Sequence, residues 1–210
     1  KIGRRGSMSG DIVVRGRQGH AAYPHLADNP VRGLVTLVEA LMTPPFDEGT
    51  RDFQPSNLEV TTLDVGNKAT NVIPAKATAS FNIRFNDTWT AETLQAEIHN
   101  RLDRAAGRRR LRPHGAERVD FDLIWRDRPS PVFLTRDGKL VDTLSGSVEA
   151  VTGRRPALST SGGTSDARFI KDFCPVVEFG LVGRTMHMVD ERVALSDLEM
   201  LTRIYRRFLD

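Results

Sequence analysis

The stretch Ala75-Lys76-Ala77-Thr78-Ala79-Ser80-Phe81-Asn82-Ile83-Arg84-Phe85-Asn86 decides the fold. Its apolar residues Ala77, Ala79, Phe81, Ile83 and Phe85 alternate with polar ones. A period of two places those five side chains on one face of a strand, against a core. Working outward, residues 7–17 (SMSGDIVVRGR) carry the β-branched run Ile12, Val13, Val14 and read as a strand. Residues 58–65 (LEVTTLDV) and 119–125 (VDFDLIW) alternate and read as two more. A helix opens at Asn29-Pro30, with Asn as N-cap and Pro in the first turn, and carries a stripe of Val31, Leu34, Val35, Leu37, Val38 and Leu41. Thr90 is expected to cap a second helix to about Ala106, with Leu94, Ala96, Ile98 and Leu102 inward. The order is βαββαβ, an α+β, ferredoxin-like arrangement. Two such halves close into a four-stranded antiparallel sheet with both helices on one face.

Beyond residues 126–136, a connector rich in Arg, Asp and Pro, the pattern turns to α/β. Residues 140–151 read as a helix stopped by Gly153, 157–160 as a short strand, and 167–172 as a helix. Residues 175–180 (PVVEFG) are continuously apolar but for one Glu and read as a buried parallel strand. Ser196 is expected to cap a last helix with Leu198, Leu201, Ile204, Tyr205 and Phe208 inward.

Composition excludes several classes. The nine apolar residue types make up 39% and charged residues 27%, which is ordinary for a globular chain and rules out collagen-like, low-complexity and disordered ones. The 30 basic and 27 acidic side chains leave a net charge of +3, too small to indicate nucleic acid by itself. No stretch approaches the ~18 apolar residues of a membrane span. The single cysteine, Cys174, cannot form an internal disulfide; it reads as an inert core thiol in a reducing, cytoplasmic setting. The chain starts Lys1-Ile2-Gly3-Arg4-Arg5, without an initiator Met, and enters a strand pattern at once, so it is expected to be the middle of a longer protein.

Few residues carry chemistry. His20, among small neighbours in Gly19-His20-Ala21-Ala22, reads either as a solvated loop imidazole or as a donor to an oxyanion. His187, a few residues beyond the 175–180 strand, lies where α/β sheets place ligands; it is either a metal ligand or a hydrogen-bonded loop residue. Ser161-Gly162-Gly163-Thr164-Ser165-Asp166 leads into a helix, and is either an anion-binding turn or an ordinary cap. Arg84 alternates against the apolar face of its strand, and its fork suits a carboxylate if it is not merely exposed. Asn71 by default bonds its own turn. The basic run Arg108-Arg109-Arg110-Leu111-Arg112 raises RNA binding, but such sheets need exposed aromatics, and Phe81 and Phe85 fall on the core face.

Six segments together resemble one family: Arg4-Arg5-Gly6-Ser7, residues 16–25 (GRQGHAAYPH), 69–74 (ATNVIP), 81–85 (FNIRF), 159–166 (STSGGTSD) and 187–191 (HMVDE). They look like the C-terminal portion of a dinuclear-zinc amidohydrolase of the aminoacylase/carboxypeptidase family. The 17–25 block with the SGGTSD loop sets the chain apart from acetylornithine deacetylases and carboxypeptidases. It places the chain beside the branch whose small-molecule substrate carries three carboxylates. The resemblance implies a lid and dimerisation domain at residues 6–128, inserted into an α/β zinc-hydrolase catalytic domain to which residues 1–5 and 129–210 belong. It implies two zinc ions, with cobalt as a substitute, a homodimer through 6–128, and neither nucleic-acid nor membrane partners. It further implies His187 as a zinc ligand, and His20 as a catalytic group that stabilises the oxyanion in the other subunit's site. Arg4, Tyr23, Asn71, Arg84, Gly163 and Thr164 would bind the substrate.

Two departures accompany the resemblance. The family's bridging Asp, its other ligands and its catalytic Glu would precede Lys1, so the isolated chain is expected to be inactive. At Gly183 many relatives carry an Asn that holds substrate. Another amidohydrolase of the family, or a non-catalytic dimerisation module, is the rival expectation.

Overall fold

The computed structural model describes residues 1–107, 118–126 and 128–210; the basic run 108–112 and His114 lie outside them. In chain order the elements are β1 (Gly3–Arg4), β2 (Gly6–Arg15), β3 (Gly19–His20), α1 (Pro30–Met42), β4 (Asn57–Asp64), β5 (Val72–Ile73), β6 (Lys76–Phe85), α2 (Ala91–Ala106), β7 (Asp120–Trp125), β8 (Phe133–Leu134), α3 (Gly138–Thr152), α4 (Ala167–Ile170) and α5 (Leu195–Leu209). They fall into two compact units. One comprises Arg5–Val132; the other comprises Lys1–Arg4 with Phe133–Asp210.

In the 5–132 unit, β4, β6, β2 and β7 pair in that order, all antiparallel. This is the four-stranded βαββαβ sheet that the alternation predicts. Ala77, Ala79, Phe81, Ile83 and Phe85 all face the core and are at most 2% exposed. Met8, Ile12 and Val14 of β2 join them, and Leu34, Leu37, Val38, Leu41, Leu94, Ile98 and Leu102 close the same face from the two helices. Gly10 is required here: a Cβ would stand 2.6 Å from the tip of the Phe81 ring across the strand pair. Asn29 caps α1 by accepting from Val31 N at 3.0 Å, and Thr90 with Thr93 forms a reciprocal cap on α2. Two stripe expectations fail. Val35 is 58% exposed and Ala96 lies outward, while the inward place on α2 is taken by Arg101. Its guanidinium stacks 3.9 Å from the Phe46 ring centroid and donates to Pro44 O and Pro45 O.

The edge strand β4 breaks its own alternation. Leu58 and Val60 pair inward, opposite Ile83 and Phe81, but a bulge between Val60 and Thr62 shifts the register by one. Leu63 then faces Ala79 where Thr62 would otherwise do so, which reconciles an even-numbered apolar set with an odd-numbered one.

The loop from α1 to β4 is organised by Asp47. Its Oδ1 accepts from Gly49 N (2.8 Å), Ser56 N (3.1 Å) and Asn86 Nδ2 (2.6 Å), and its Oδ2 from Trp89 Nε1 (2.8 Å). Burial pushes this carboxyl up, but the bonds from Ser56, Trp89 and Gly49 outweigh it and hold the group below its ordinary value. A carboxyl depressed in the folded state contributes stability that is full above the ordinary aspartate value, near pH 4, and is lost as pH falls through the folded value. We expect Asp47→Asn to lower stability at neutral pH and to flatten the acid limb of a urea-midpoint-versus-pH profile.

The other unit departs further from expectation. β1 pairs with β8, and α3 packs on α5 through Leu144, Val148 and Ile204. The helix of 140–151 is α3, stopped by Gly153 in the left-handed region at φ 71°. Residues 157–160 and 175–180 are extended without forming regular strands. Their backbone pairing is with the short Lys1–Arg4 segment: Ile2 N to Ser159 O, and Lys1 and Glu178 to one another. A four-residue partner is too short to sustain a ladder. The 175–180 segment is half-buried rather than buried, and Cys174 beside it is exposed, not a core thiol. Ala194, not Ser196, is the N-cap of α5; only Ile204 on that helix is buried, and Leu198 and Tyr205 are about two-fifths exposed at 41% and 40%.

Candidate functional site

His20 is positioned by a two-residue strand pair. Gly19 lies opposite Ile73 and His20 opposite Val72, and Ala21 N donates to Asn71 O at 2.9 Å. Asn67, which sequence reasoning passed over, braces the other side by donating from Nδ2 to Ala69 O (3.1 Å) and Val72 O (2.8 Å). The Gly66-Asn67 turn was the signal for it. His20 Nδ1 accepts from Ala22 N at 3.1 Å, which assigns the proton of the neutral ring to Nε2. That N–H points to no partner among the described residues. The Tyr23 ring meets His20 edge-on at 5.6 Å between centroids, and His25 meets Tyr23 at 6.3 Å. His20, Tyr23 and Asn71 are all exposed. The structure thus gathers a free imidazole donor, a phenol and an amide on one rim of the unit.

Arg84 does not join them. It lies opposite Ser7 at the start of β2, whereas β3 follows the end of that strand at Arg15. The eight intervening steps of an extended strand span about 26 Å, so one copy's Arg84 and His20 do not share a ligand. The helix-free face between them is polar and internally satisfied. Asn82 Nδ2 donates to Ser7 Oγ, Met8 O and Ser9 Oγ; Asp11 accepts from Ser80 Oγ (2.7 Å) and Arg126 Nε (2.7 Å); Arg15 pairs with Asp122. Asp11 is held below its ordinary value chiefly by the Arg126 bond.

In the other unit Arg4 meets the glycine loop. Its Nε donates to Glu178 Oε2 at 2.6 Å and its Nη1 to Ser161 O at 3.1 Å. Burial raises the Glu178 carboxyl, but its favourable partners, the Arg4 bond foremost and the N-terminal charge among them, outweigh this and hold the group below its ordinary value. Gly162, at φ 104°, passes so close to Arg4 Nη1 that a Cβ would lie 2.6 Å from it. Lys1 Nζ donates to Ser159 Oγ (3.1 Å) and Ser161 Oγ (2.7 Å). Arg4 is therefore already committed to a carboxylate, an arrangement that the sequence did not announce. Gly163 is exposed, and Thr164 half-buried.

His187 is exposed and left-handed at φ 61°. Its loop is closed by Thr185, whose Oγ1 donates to Arg192 O (2.9 Å) and accepts from Arg192 N (3.0 Å). No group of three or more His, Cys, Asp or Glu side chains able to hold a metal occurs among the described residues. A catalytic zinc takes three protein ligands and a structural one four, so the described residues do not complete a shell by themselves.

Residues 2–110 match the family described as the peptidase dimerisation domain. Solved structures share the fold along essentially the whole chain. The tripeptidase of Staphylococcus aureus superposes with a TM-score of 0.75 at 18% identity, covering 99% of this chain and 52% of its own. The aminopeptidase PepT of Bacillus cereus gives 0.72 at 18%, covering 100% and 53%. Human carnosine dipeptidase 1 gives 0.71 at 14%, covering 99% and 55%. The chain spans about half the length of these relatives.

Proposed function

The chain belongs to the peptidase dimerisation domain family, and from that premise we propose that it is the lid and C-terminal portion of a homodimeric zinc amidohydrolase. The reaction assigned to the whole protein is cleavage of N-succinyl-LL-2,6-diaminopimelate to succinate and LL-diaminopimelate. The observation that carries this reading is the separation of His20 from Arg84 along one sheet. An oxyanion donor and a carboxylate clamp at opposite ends serve one substrate when two copies of the domain present them to each other.

Each residue then has a task. His20 donates from Nε2 to the oxygen that becomes negative as the amide is attacked; its Nδ1 bond to Ala22 N fixes the required tautomer. Asn71 and Tyr23, on the same rim, orient a carboxylate. Arg84 takes another, and the 162–164 loop, buttressed by Arg4, a third. His187 supplies one zinc ligand, the remainder coming from elsewhere in the complete protein; bound zinc would polarise the carbonyl and acidify water.

The test is a substrate panel with the full-length protein: N-succinyl-diaminopimelate, N-acetylornithine, and unmodified di- and tripeptides. We expect the succinylated diacid to be preferred in kcat/KM by at least about a hundredfold, because a site built for carboxylates leaves buried cations unpaired with the others. Preference for acetylornithine or for peptides would reassign the substrate within the family.

A further inference from the structure

Arg5 and Arg84 converge on the helix-free face of the sheet, at the end remote from His20. Asn57 lies directly opposite Arg84 across the β4–β6 pair, so their side chains share that face. Arg5 reaches the same place: its Nη1 donates to Asn57 Oδ1 at 2.8 Å and to Pro55 O at 2.9 Å. Those two bonds fix the guanidinium through a single nitrogen. Its Nε is buried without a hydrogen-bond partner, and so is Nη1 of Arg84. Arg84 makes no hydrogen bond or ion pair among the described residues. Burial lowers the Arg5 pKa and the charge of Arg84 lowers it further; Asp47 opposes this only at a distance, since its oxygens are taken by Gly49, Ser56, Asn86 and Trp89. Two like charges with buried, unfilled donors and no carboxylate between them are what an anion site looks like before its ligand arrives.

We propose that Arg5 and Arg84 together grip one carboxylate, with Arg5 as the second arm of the clamp and Asn57 as the brace that aims it. This rests on the reading of Arg84 as a carboxylate binder and adds a residue to it. Sharing the anion between two forks selects a planar, fully ionised carboxylate over a neutral amide or ester at that end of the substrate.

The experiment follows the arginine Nε–H resonances of the full chain as succinate is added. The expected result is that the Arg5 and Arg84 signals move together with one dissociation constant. Arg5→Gln should weaken that constant about tenfold, and Arg5→Lys, which keeps the charge and loses the fork, by less. If the Arg84 signal titrates with unchanged affinity in Arg5→Gln, or the Arg5 signal stays still, the clamp is overturned while Arg84 keeps its role. If neither signal moves, both fail. Turnover of the substrate panel is read separately, so loss of the enzymatic reading is distinguishable from either.

Discussion

His20→Ala in the full-length protein is expected to lower kcat by about a hundred- to a thousandfold while changing KM little. The reason is the geometry of one ring. Nδ1 is occupied by the Ala22 amide, so the exposed Nε2–H is the group left to give. A donor aimed at charge that develops only in the transition state leaves ground-state binding largely alone. The strand pair Gly19–Ile73 and His20–Val72 holds the backbone in either variant, so folding is not in play. A steady-state comparison of wild type, His20→Ala and His20→Gln checks this. An unchanged kcat removes His20 from the chemistry. A rise in KM alone makes it a substrate contact.

Phe81→Ala is expected to cost about 3–5 kcal/mol of stability, the range for deleting a buried phenylalanine. Its ring is 2% exposed, covers Gly10 across the β2–β6 pair, and meets Trp125 edge-on at 5.8 Å. Gly10 has no side chain to fill the void, and Ile12 and Met8 are held by their own places in the core. The sheet therefore cannot collapse onto the cavity. Denaturant unfolding of the whole chain provides the measurement, and Phe81→Leu, which retains most of the volume, should recover much of the loss. A cost below about 1 kcal/mol would mean that the ring's neighbours repack freely.

The sequence was legible where one period ruled a whole element. In residues 75–86 every second side chain is apolar, and the strand is central, so local pattern and tertiary demand agree. Asn29 and Thr90 likewise act within one helical turn of themselves, and both caps form as read. The edge strand was less legible because its bulge at Val60 and Thr62 has no local residue type that demands it. The tail was misread for a related reason. An apolar run such as 175–180 shows that a segment prefers to be covered, but not by what; there it pairs with the short 1–4 segment and packs on α3 and α5, and Cys174 is left outside. Among the candidate site residues, the types were readable and the commitments were not. Nothing near Arg4 in sequence reveals that Glu178 holds it, 174 positions away.

What the sequence determined by itself is the βαββαβ sheet, its buried face and the caps of its two helices, since those follow from interactions a few residues long and from a strict two- or 3.6-residue repeat. What only the tertiary structure decided is which charges are satisfied and which are free. Arg4 and Arg5 are neighbours in the chain, yet one is neutralised by Glu178 and the other is left with a buried, unfilled donor beside Arg84. An ion pair or an orphaned guanidinium depends on distances between segments far apart in sequence, and no local pattern encodes those distances.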